Sequence, residues 1–272
     1  METLSWLLKH ELYFPCEIQE KVMLWNTDDG KLAKHGLALR VDESSLILTH
    51  NGYLASPAFQ FLKITTPEQA SLHGTTHKAS SYCILELQEN DCIAFSAEKS
   101  SIYIRDTHIG SLITTLSGHG DAVLALVELR NGNLASGSSD KTIKIWNADD
   151  WSLERTLDEP HECAEVLSLA VLKNGLLASG SSQGSILVWN AETGELVKSF
   201  KAHESEVCSL VVLQNGCLGS LDASGMVKIW NSETGCLVRS LEGNENVESL
   251  LVLASDYLVG FEKEIYIFLP YS

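Results

Sequence analysis

Short apolar segments recur along this chain in a fixed order, and each is bounded by turn residues. The first segment of each unit has apolar residues at a period of two, as in residues 123–127 and 207–211, which predicts a buried strand. An Asn-Gly pair follows it at positions 131–132, 174–175 and 215–216, and an earlier copy stands at 51–52. Because Asn-Gly accepts positive φ angles, we predict two-residue hairpins of type I′ that lead into second strands such as residues 134–137.

Two further strands complete each unit. Third strands that end in tryptophan are predicted at residues 142–146, 185–189 and 226–230. Fourth strands are predicted at residues 111–116, 152–157, 195–200 and 236–241, after turns in which Gly110, Gly194 and Gly235 suit a left-handed conformation. A four-stranded antiparallel sheet of about forty residues cannot bury both of its faces alone, so the units are expected to stack.

The spacing of the units extends over the chain. Trp146, Trp189 and Trp230 lie 43 and 41 residues apart, and similar steps reach Trp25, Thr65, Arg105 and Phe268. We therefore predict an all-β fold, a single seven-bladed β-propeller with a three-stranded last blade. A six-bladed ring is the alternative if residues 4–8 are not the innermost strand of blade one. The expected blades are residues 1–37, 38–73, 74–116, 117–157, 158–200, 201–241 and 242–272.

The segment GHGDAVLALVELRNGNLASGSSDKTIKIWN resembles a blade of the WD-repeat (WD40) family. Repeats four to six resemble the family in motif, and the other repeats mainly in spacing. The resemblance implies that a histidine, a serine, an aspartate and the tryptophan form a hydrogen-bonded tetrad inside a blade. Carried over by position, these residues are His119, Ser136, Asp140 and Trp146 in blade four, His161, Ser179 and Trp189 in blade five, and His203, Ser220 and Trp230 in blade six.

Some blades depart from this pattern. The acid's position holds Gln183 in blade five and Ser224 in blade six, where Asp222 stands two residues earlier. Blade three keeps His77 and Ser96 but has Arg105 in the tryptophan's place. Blade four is therefore expected to be the most rigid.

These His, Ser and Asp residues are interpreted as structural, because catalytic residues have no reason to recur at a structural period, whereas a buried indole or imidazole must find a partner. We accordingly predict no catalytic residue, no cofactor and no metal. The pair His73 and His77 and the run from His161 to Cys163 lack the further ligands that a zinc site needs.

Charge narrows the choice of partners. The chain has a net charge of −17, which disfavours nucleic acid and anionic membranes and favours basic peptides or proteins. Seven cysteines without a C-x-x-C pair indicate reduced thiols, and we predict a soluble, cytoplasmic protein.

Acidic residues fall in the loops before the predicted first strands, and in a propeller these loops converge on one rim. They could form a solvated face or a docking surface for Lys/Arg-rich segments. We predict a non-enzymatic interaction scaffold, with a propeller hydrolase or lyase at the channel mouth as the alternative. The possible partner-binding residues are Asp121, Glu162, Glu165, Glu204, Glu206, Glu245 and Glu248.

Overall fold

The structure is a computed structural model. It describes residues 83–87, 91–97, 100–107, 111–158 and 164–241, together with strand segments 14–17, 22–25, 32–37, 47–48, 54–55, 249–252, 258–261 and 265–268. The chain divides into two compact units, residues 1–117 and residues 118–272.

The first unit contains three antiparallel sheets. A three-stranded sheet and a two-stranded pair precede a four-stranded sheet, which corresponds to predicted blade three. The strands are β1 (Phe14–Glu17), β2 (Val22–Trp25), β3 (Leu32–Leu37), β4 (Ile47–Leu48), β5 (Leu54–Ala55), β6 (Ile84–Leu87), β7 (Cys92–Ala97), β8 (Ser101–Asp106) and β9 (Leu112–Leu116). The strand predicted at residues 4–8 lies outside the described residues.

The second unit repeats one four-stranded antiparallel sheet three times, and a three-stranded sheet follows. Each sheet keeps its strands in chain order. Blade four contains β10 (Val123–Glu128), β11 (Leu134–Ser138), β12 (Thr142–Trp146) and β13 (Leu153–Asp158). Blade five contains β14 (Val166–Val171), β15 (Leu177–Ser181), β16 (Ser185–Asn190) and β17 (Glu195–Lys201).

Blade six contains β18 (Val207–Val212), β19 (Leu218–Asp222), β20 (Val227–Trp230) and β21 (Leu237–Leu241). The last sheet contains β22 (Ser249–Val252), β23 (Leu258–Phe261) and β24 (Ile265–Phe268). The prediction of an all-β chain built from repeated four-stranded antiparallel sheets is confirmed, and the number of seven blades stays a prediction.

Glycines allow neighbouring sheets of the second unit to approach closely. A Cβ atom on Gly137 would lie 2.5 Å from Cγ1 of Val166 in the next sheet, and one on Gly180 would lie 2.4 Å from Ser168 Oγ and 2.6 Å from Val207 Cγ1. Blade six has Leu221 at this position, and its fully buried side chain belongs to one core cluster with Leu250 of β22. The main core therefore lies between the sheets, where each first strand packs on the next.

The Asn-Gly hairpins of blades four to six are not of type I′, so that prediction is wrong for them, while the pair at 51–52 lies outside the described residues. Gly132 has a positive φ of 82°, but Asn131 does not, whereas type I′ requires positive values at both residues. Gly132 N–H donates to Leu129 O (3.0 Å), and Leu129 N–H donates to Asn133 O (2.8 Å). The loop is therefore a three-residue hairpin with a left-handed glycine, and the hairpins of blades five and six repeat it.

Asparagine stabilises this hairpin through its side chain. Asn131 Oδ1 accepts from the backbone N–H of Asn133 (3.2 Å). The Asn174 and Asn215 side chains accept in the same way, two residues onward, at 3.1 Å and 2.9 Å. This local bond explains why asparagine precedes the glycine without itself taking a positive φ.

Long cationic side chains join neighbouring blades at the end of the sheets where these hairpins lie. Arg130 donates to the Lys173 carbonyl, and Lys173 Nζ donates to the Gln214 carbonyl. Lys198 Nζ donates to the Glu233 carbonyl in the same manner. Three basic groups are thus bound to backbone oxygens of this negatively charged chain.

Candidate interaction site

Blade four contains a continuous hydrogen-bond network of its predicted tetrad residues. Trp146 Nε1–H donates to Ser136 Oγ (2.8 Å), which lies 2.8 Å from His119 Nε2. His119 Nδ1 lies 2.8 Å from Asp140 Oδ2, and that oxygen also accepts from Gly120 N–H (2.8 Å). The other carboxylate oxygen of Asp140 accepts from the backbone N–H and the hydroxyl of Thr142.

With a neutral His119 imidazole, the donors and acceptors of this network have one consistent assignment. The indole can only donate, so Ser136 Oγ accepts from it and directs its own proton to His119 Nε2. His119 Nδ1 then carries the proton that it donates to Asp140. Burial of His119 lowers its pKa more than the hydrogen bond to Asp140 raises it, which favours the neutral imidazole that this assignment needs.

Blade six builds the same network with a different aspartate. Ser220 Oγ lies 2.8 Å from Trp230 Nε1 and 2.6 Å from His203 Nε2. The partner of His203 Nδ1 is Asp222 Oδ2 at 3.0 Å, so the acid comes from the end of β19, two residues before the position expected from blade four. The Ser224 hydroxyl donates to Asp222 Oδ1 (2.5 Å).

Part of the predicted tetrad of blade five is described. Trp189 Nε1–H donates to Ser179 Oγ (3.0 Å), while His161 lies outside the described residues. A cavity of about 20 Å³ lies beside these two side chains, between blades four and five. It has room for one water molecule and none for a substrate.

Blade three replaces the network with packed rings, and the expectation that Ser96 holds the serine's position is wrong. The register pairs Phe95 with Tyr103, as Ser136 pairs with Lys144, so Phe95 stands at the serine's position. The Arg105 guanidinium lies 5.9 Å from the Phe95 ring centroid, and Tyr103 contacts that ring edge-on. A cation–π contact therefore stands where blade four has an indole–hydroxyl hydrogen bond.

The order Asp140–His119–Ser136 has the hydrogen-bonded geometry of a catalytic triad, but its surroundings differ. Ser136 and Ser220 are both fully buried, and each hydroxyl oxygen already accepts a bond from an indole. A nucleophile must reach its substrate, whereas these hydroxyls face only the interior of their own blade. The arrangement is suited to fixing the geometry of the blade.

Two thiols of blade three are also held in an unreactive form. Burial raises the pKa of Cys83 to about 12 and that of Cys92 to about 11, so both thiols stay protonated. In the part of the chain that the structure describes, no group of three or more His, Cys, Asp or Glu residues could hold a metal ion.

Exposed carboxylates lie above the two complete networks. In each blade the turn between the second and third strands meets the segment before the first strand, as in the bonds from Ser139 N–H to Ala122 O and from Ser182 N–H to Glu165 O. We call this end of the sheets the loop end. Exposed acids on it include Asp158 at the end of β13 and four that precede first strands, which we call the loop-end carboxylates: Asp121, Glu165, Glu204 and Glu206.

The loop-end carboxylates lack basic partners among the described residues, and none of the four takes part in a described salt bridge. Glu165 accepts a hydrogen bond from the Ser139 hydroxyl (3.2 Å), which links blades four and five. The sequence also predicted Glu162, Glu245 and Glu248 for this surface, and these three lie outside the described residues.

Family comparison accounts for the repeats. The profile of the WD domain, G-beta repeat (WD40), matches residues 110–147, 151–190 and 194–231, which are three consecutive units. The chain contains three consecutive WD40 repeats. The matches begin with the last strand of blade three and end with the third strand of blade six, in the part of the chain where the sequence motif is strongest.

Two curated proteins share short stretches with this WD40 chain. Periodic tryptophan protein 2 homolog of Caenorhabditis elegans is 36% identical over 74 residues, which is 27% of this chain and 8% of that protein. Cell division control protein 4 of Saccharomyces cerevisiae is 32% identical over 81 residues, 30% of this chain and 10% of that protein. The match thus spans a tenth or less of each relative.

Solved structures show the fold. The WD40 beta propeller domain of Doa1 has a TM-score of 0.72 and 21% identity, covering 92% of this chain and 86% of that domain. The computationally designed Ika8 protein has a TM-score of 0.74 and 22% identity, covering 94% of this chain and 83% of that protein. The predicted WD40-type β-propeller class is confirmed. No described helix has the length and apolar character needed to cross a membrane.

Proposed function

We propose that this WD40 protein is a non-enzymatic interaction scaffold that docks Lys/Arg-rich segments of partner proteins on its loop-end carboxylates. WD40-repeat proteins generally act as protein-interaction scaffolds. The observation that carries the finer proposal is the exposure of four carboxylates, without described basic partners, at one end of three adjacent blades.

Electrostatics supports a basic partner. The net charge of −17 attracts cationic segments over long range, and the acids of the loop end supply local partners at short range. Three basic side chains at the other end, Arg130, Lys173 and Lys198, are bound to backbone carbonyls. We extend the proposal to a cytoplasmic setting without nucleic acid or membrane as ligand.

The test is the affinity for a labelled eight-residue peptide of alternating Lys and Gly, measured by fluorescence anisotropy. The combined variant Asp121→Asn, Glu165→Gln, Glu204→Gln and Glu206→Gln should bind this peptide roughly ten-fold more weakly, because each exposed charge contributes a few tenths of a kcal/mol. Its binding should also depend less on salt.

The matched control neutralises four exposed acids at the opposite end: Asp149→Asn, Glu192→Gln, Glu195→Gln and Glu233→Gln. Both variants change the net charge equally, so the control should keep most of the affinity. An equal loss in both variants would mean that only net charge attracts the peptide. Unchanged affinity in the loop-end variant would remove the proposed face.

A further inference from the structure

The exposed apolar side chains of the described residues share one location. Every large hydrophobic side chain with high exposure belongs to the last strand of a four-stranded sheet, β9, β13, β17 or β21. These residues are Leu112, Ile113, Leu153, Val197, Leu237 and Val238. The last strand of each such sheet therefore carries apolar surface that the described fold leaves uncovered.

Strand β21 is the most open of these strands. Leu237 and Val238 are 51% and 54% exposed, and the exposed run continues through Ser240. Because successive side chains of a strand point to opposite faces, neither face of β21 is covered at its start. By contrast, β13 and β17 alternate exposed with partly buried positions along most of their length.

Strand β21 also carries fewer charges than β13 and β17, whereas β9, which is less exposed along its length, carries none. Edge strands usually carry charged residues that discourage pairing with another chain. Strand β17 has Glu195, Lys198 and Lys201, and β13 has Glu154, Arg155 and Asp158, but Arg239 is the only charged residue of β21. Since β21 is the last strand in the order β18-β19-β20-β21, one side of its backbone faces away from its sheet.

The charge around β21 favours a basic segment over a second copy of the chain. The exposed Glu233 stands in the turn before β21, and its backbone carbonyl, not its carboxylate, accepts from Lys198. The whole chain carries −17, so a second copy is repelled, and self-pairing centred on the middle of the strand would place Arg239 opposite Arg239. An extended basic segment meets neither penalty.

We propose that β21 is a docking edge for an extended partner segment. The segment has β-branched residues in its middle, such as valine alternating with threonine, and lysine or arginine at its ends. The segment would add a strand beside β21, with its backbone bonded to the open edge and its apolar side chains on Leu237 and Val238. This edge is separate from the loop-end carboxylates.

The probe is the labelled peptide acetyl-KVTVTVK-amide, and its acidic counterpart is acetyl-EVTVTVE-amide. The wild-type protein should bind the basic peptide roughly ten-fold more tightly than the acidic one.

Val238→Lys should abolish binding because it places a charge on the apolar edge, and Val238→Thr, which keeps the branched shape, should weaken it. Val197→Lys, at an equally exposed valine of β17, is the matched control and should retain binding. Hydrogen exchange of residues 237–241 should slow when the peptide is bound.

Several outcomes would overturn this proposal: binding unaffected by Val238→Lys, equal loss with Val197→Lys, no binding of either peptide, or a concentration-dependent mass that Val238→Lys abolishes. The last result would assign the edge to a second copy. The loop-end variant should still bind this peptide, and the Lys-Gly peptide lacks apolar residues for β21, so the two proposals fail independently.

Discussion

Asp222 of blade six performs two roles that blade four divides between two residues. In blade four, Ser138 Oγ accepts from Asp140 N–H (3.0 Å), and the Asp140 carboxylate contacts the histidine. In blade six, Asp222 stands at the position of Ser138 in the register, accepts from Ser224 N–H (2.9 Å) and also reaches His203. One carboxylate thus closes the turn and completes the network.

Exchanging Asp222 and Ser224 tests whether the arrangements of blades four and six are equivalent. Asp222→Ser should lower the free energy of unfolding by about 1–3 kcal/mol, because His203 Nδ1 loses its acceptor, whereas the new hydroxyl can accept from the backbone N–H groups of the turn as Ser181 does. Adding Ser224→Asp recreates the blade-four arrangement and should recover stability to within about 1 kcal/mol of the wild type. Urea unfolding of both single variants and the double variant measures this. A double variant no more stable than Asp222→Ser would contradict the equivalence.

The two networks predict how stability depends on pH. Burial lowers the pKa of His119 and His203 below the ordinary 6.5. The neighbouring aspartate of each histidine, Asp140 or Asp222, opposes burial by raising that pKa. A nearby lysine, Lys144 or Lys228, lowers it further, by a smaller amount than burial does. Each histidine therefore binds fewer protons in the folded state than in the unfolded state. Stability should be full above pH 6.5 and should fall as the pH drops below it.

A second loss is expected at lower pH. Burial alone would raise the pKa of Asp140, but hydrogen bonds from Thr142, Gly120 and His119 lower it from 3.8 to about 2, so its contribution to stability decreases as the pH drops below 3.8 and is lost as the pH falls through about 2. Urea unfolding between about pH 7.5 and about pH 5 isolates the histidines. The control, His119→Asn with His203→Asn, should be less stable and less dependent on pH. Wild-type stability that rises on acidification from neutral pH would contradict the prediction.

Sequence spacing could predict most of the network partners, because each belongs to a strand whose period is visible. It placed Ser136, Ser220 and their tryptophans correctly relative to the histidines, as the hydrogen bonds show. It could not predict that an aspartate at the end of β19 reaches His203. That contact depends on how the Asp222 side chain crosses the turn, which the spacing of residues does not predict.

At the scale of the strand pair, the turns show where the backbone is strained. The turn between the second and third strands has a positive φ at Lys141 in blade four, at Gly184 in blade five and at Gly225 in blade six. Similarly, Trp151 has a φ of 61° where blades five and six have Gly194 and Gly235. Blade four therefore keeps two side chains at positions where glycine costs least.

Lys141→Gly should stabilise the protein by about 1 kcal/mol, because the lysine is exposed and glycine removes the left-handed strain. The matched change, Gly184→Ala, should cost about 3 kcal/mol or more, since its Cβ would lie 2.2 Å from the His203 carbonyl oxygen. Thermal unfolding measures both. A destabilising Lys141→Gly, or a neutral Gly184→Ala, would refute this account of the turn.

Element boundaries were predictable because alternation and turn residues mark them on both sides. Third strand β12 covers the predicted residues 142–146, and β21 covers 237–241 of the predicted 236–241. The hairpin type was not predictable, because Asn-Gly suits several turns and the side-chain bond of Asn131 decides between them. Phe95 escaped prediction since the neighbouring Ser96 has the expected chemistry, and only strand register separates the two.

At the scale of the whole molecule, the repeat explains the class of fold. In the second unit, sheets that cannot bury both faces alone are stacked through Val166 and Val207, with glycine where backbones come close. The networks fix each sheet internally, and the acids remain on the surface. The sequence period predicted this class of fold, whereas the nature of the partner depends on surfaces that no period describes.

The central claim is that the buried His, Ser, Asp and Trp groups hold the blades together while the surface binds partners. Ser136→Ala tests it most directly, because it removes one oxygen and leaves Trp146 and His119 buried without it. The account predicts a loss of about 3 kcal/mol in the free energy of unfolding, with unchanged affinity of the folded protein for the Lys-Gly peptide. Ser199→Ala, at an exposed position of β17, should change stability by less than about 0.5 kcal/mol. A Ser136→Ala protein as stable as the wild type would contradict the account.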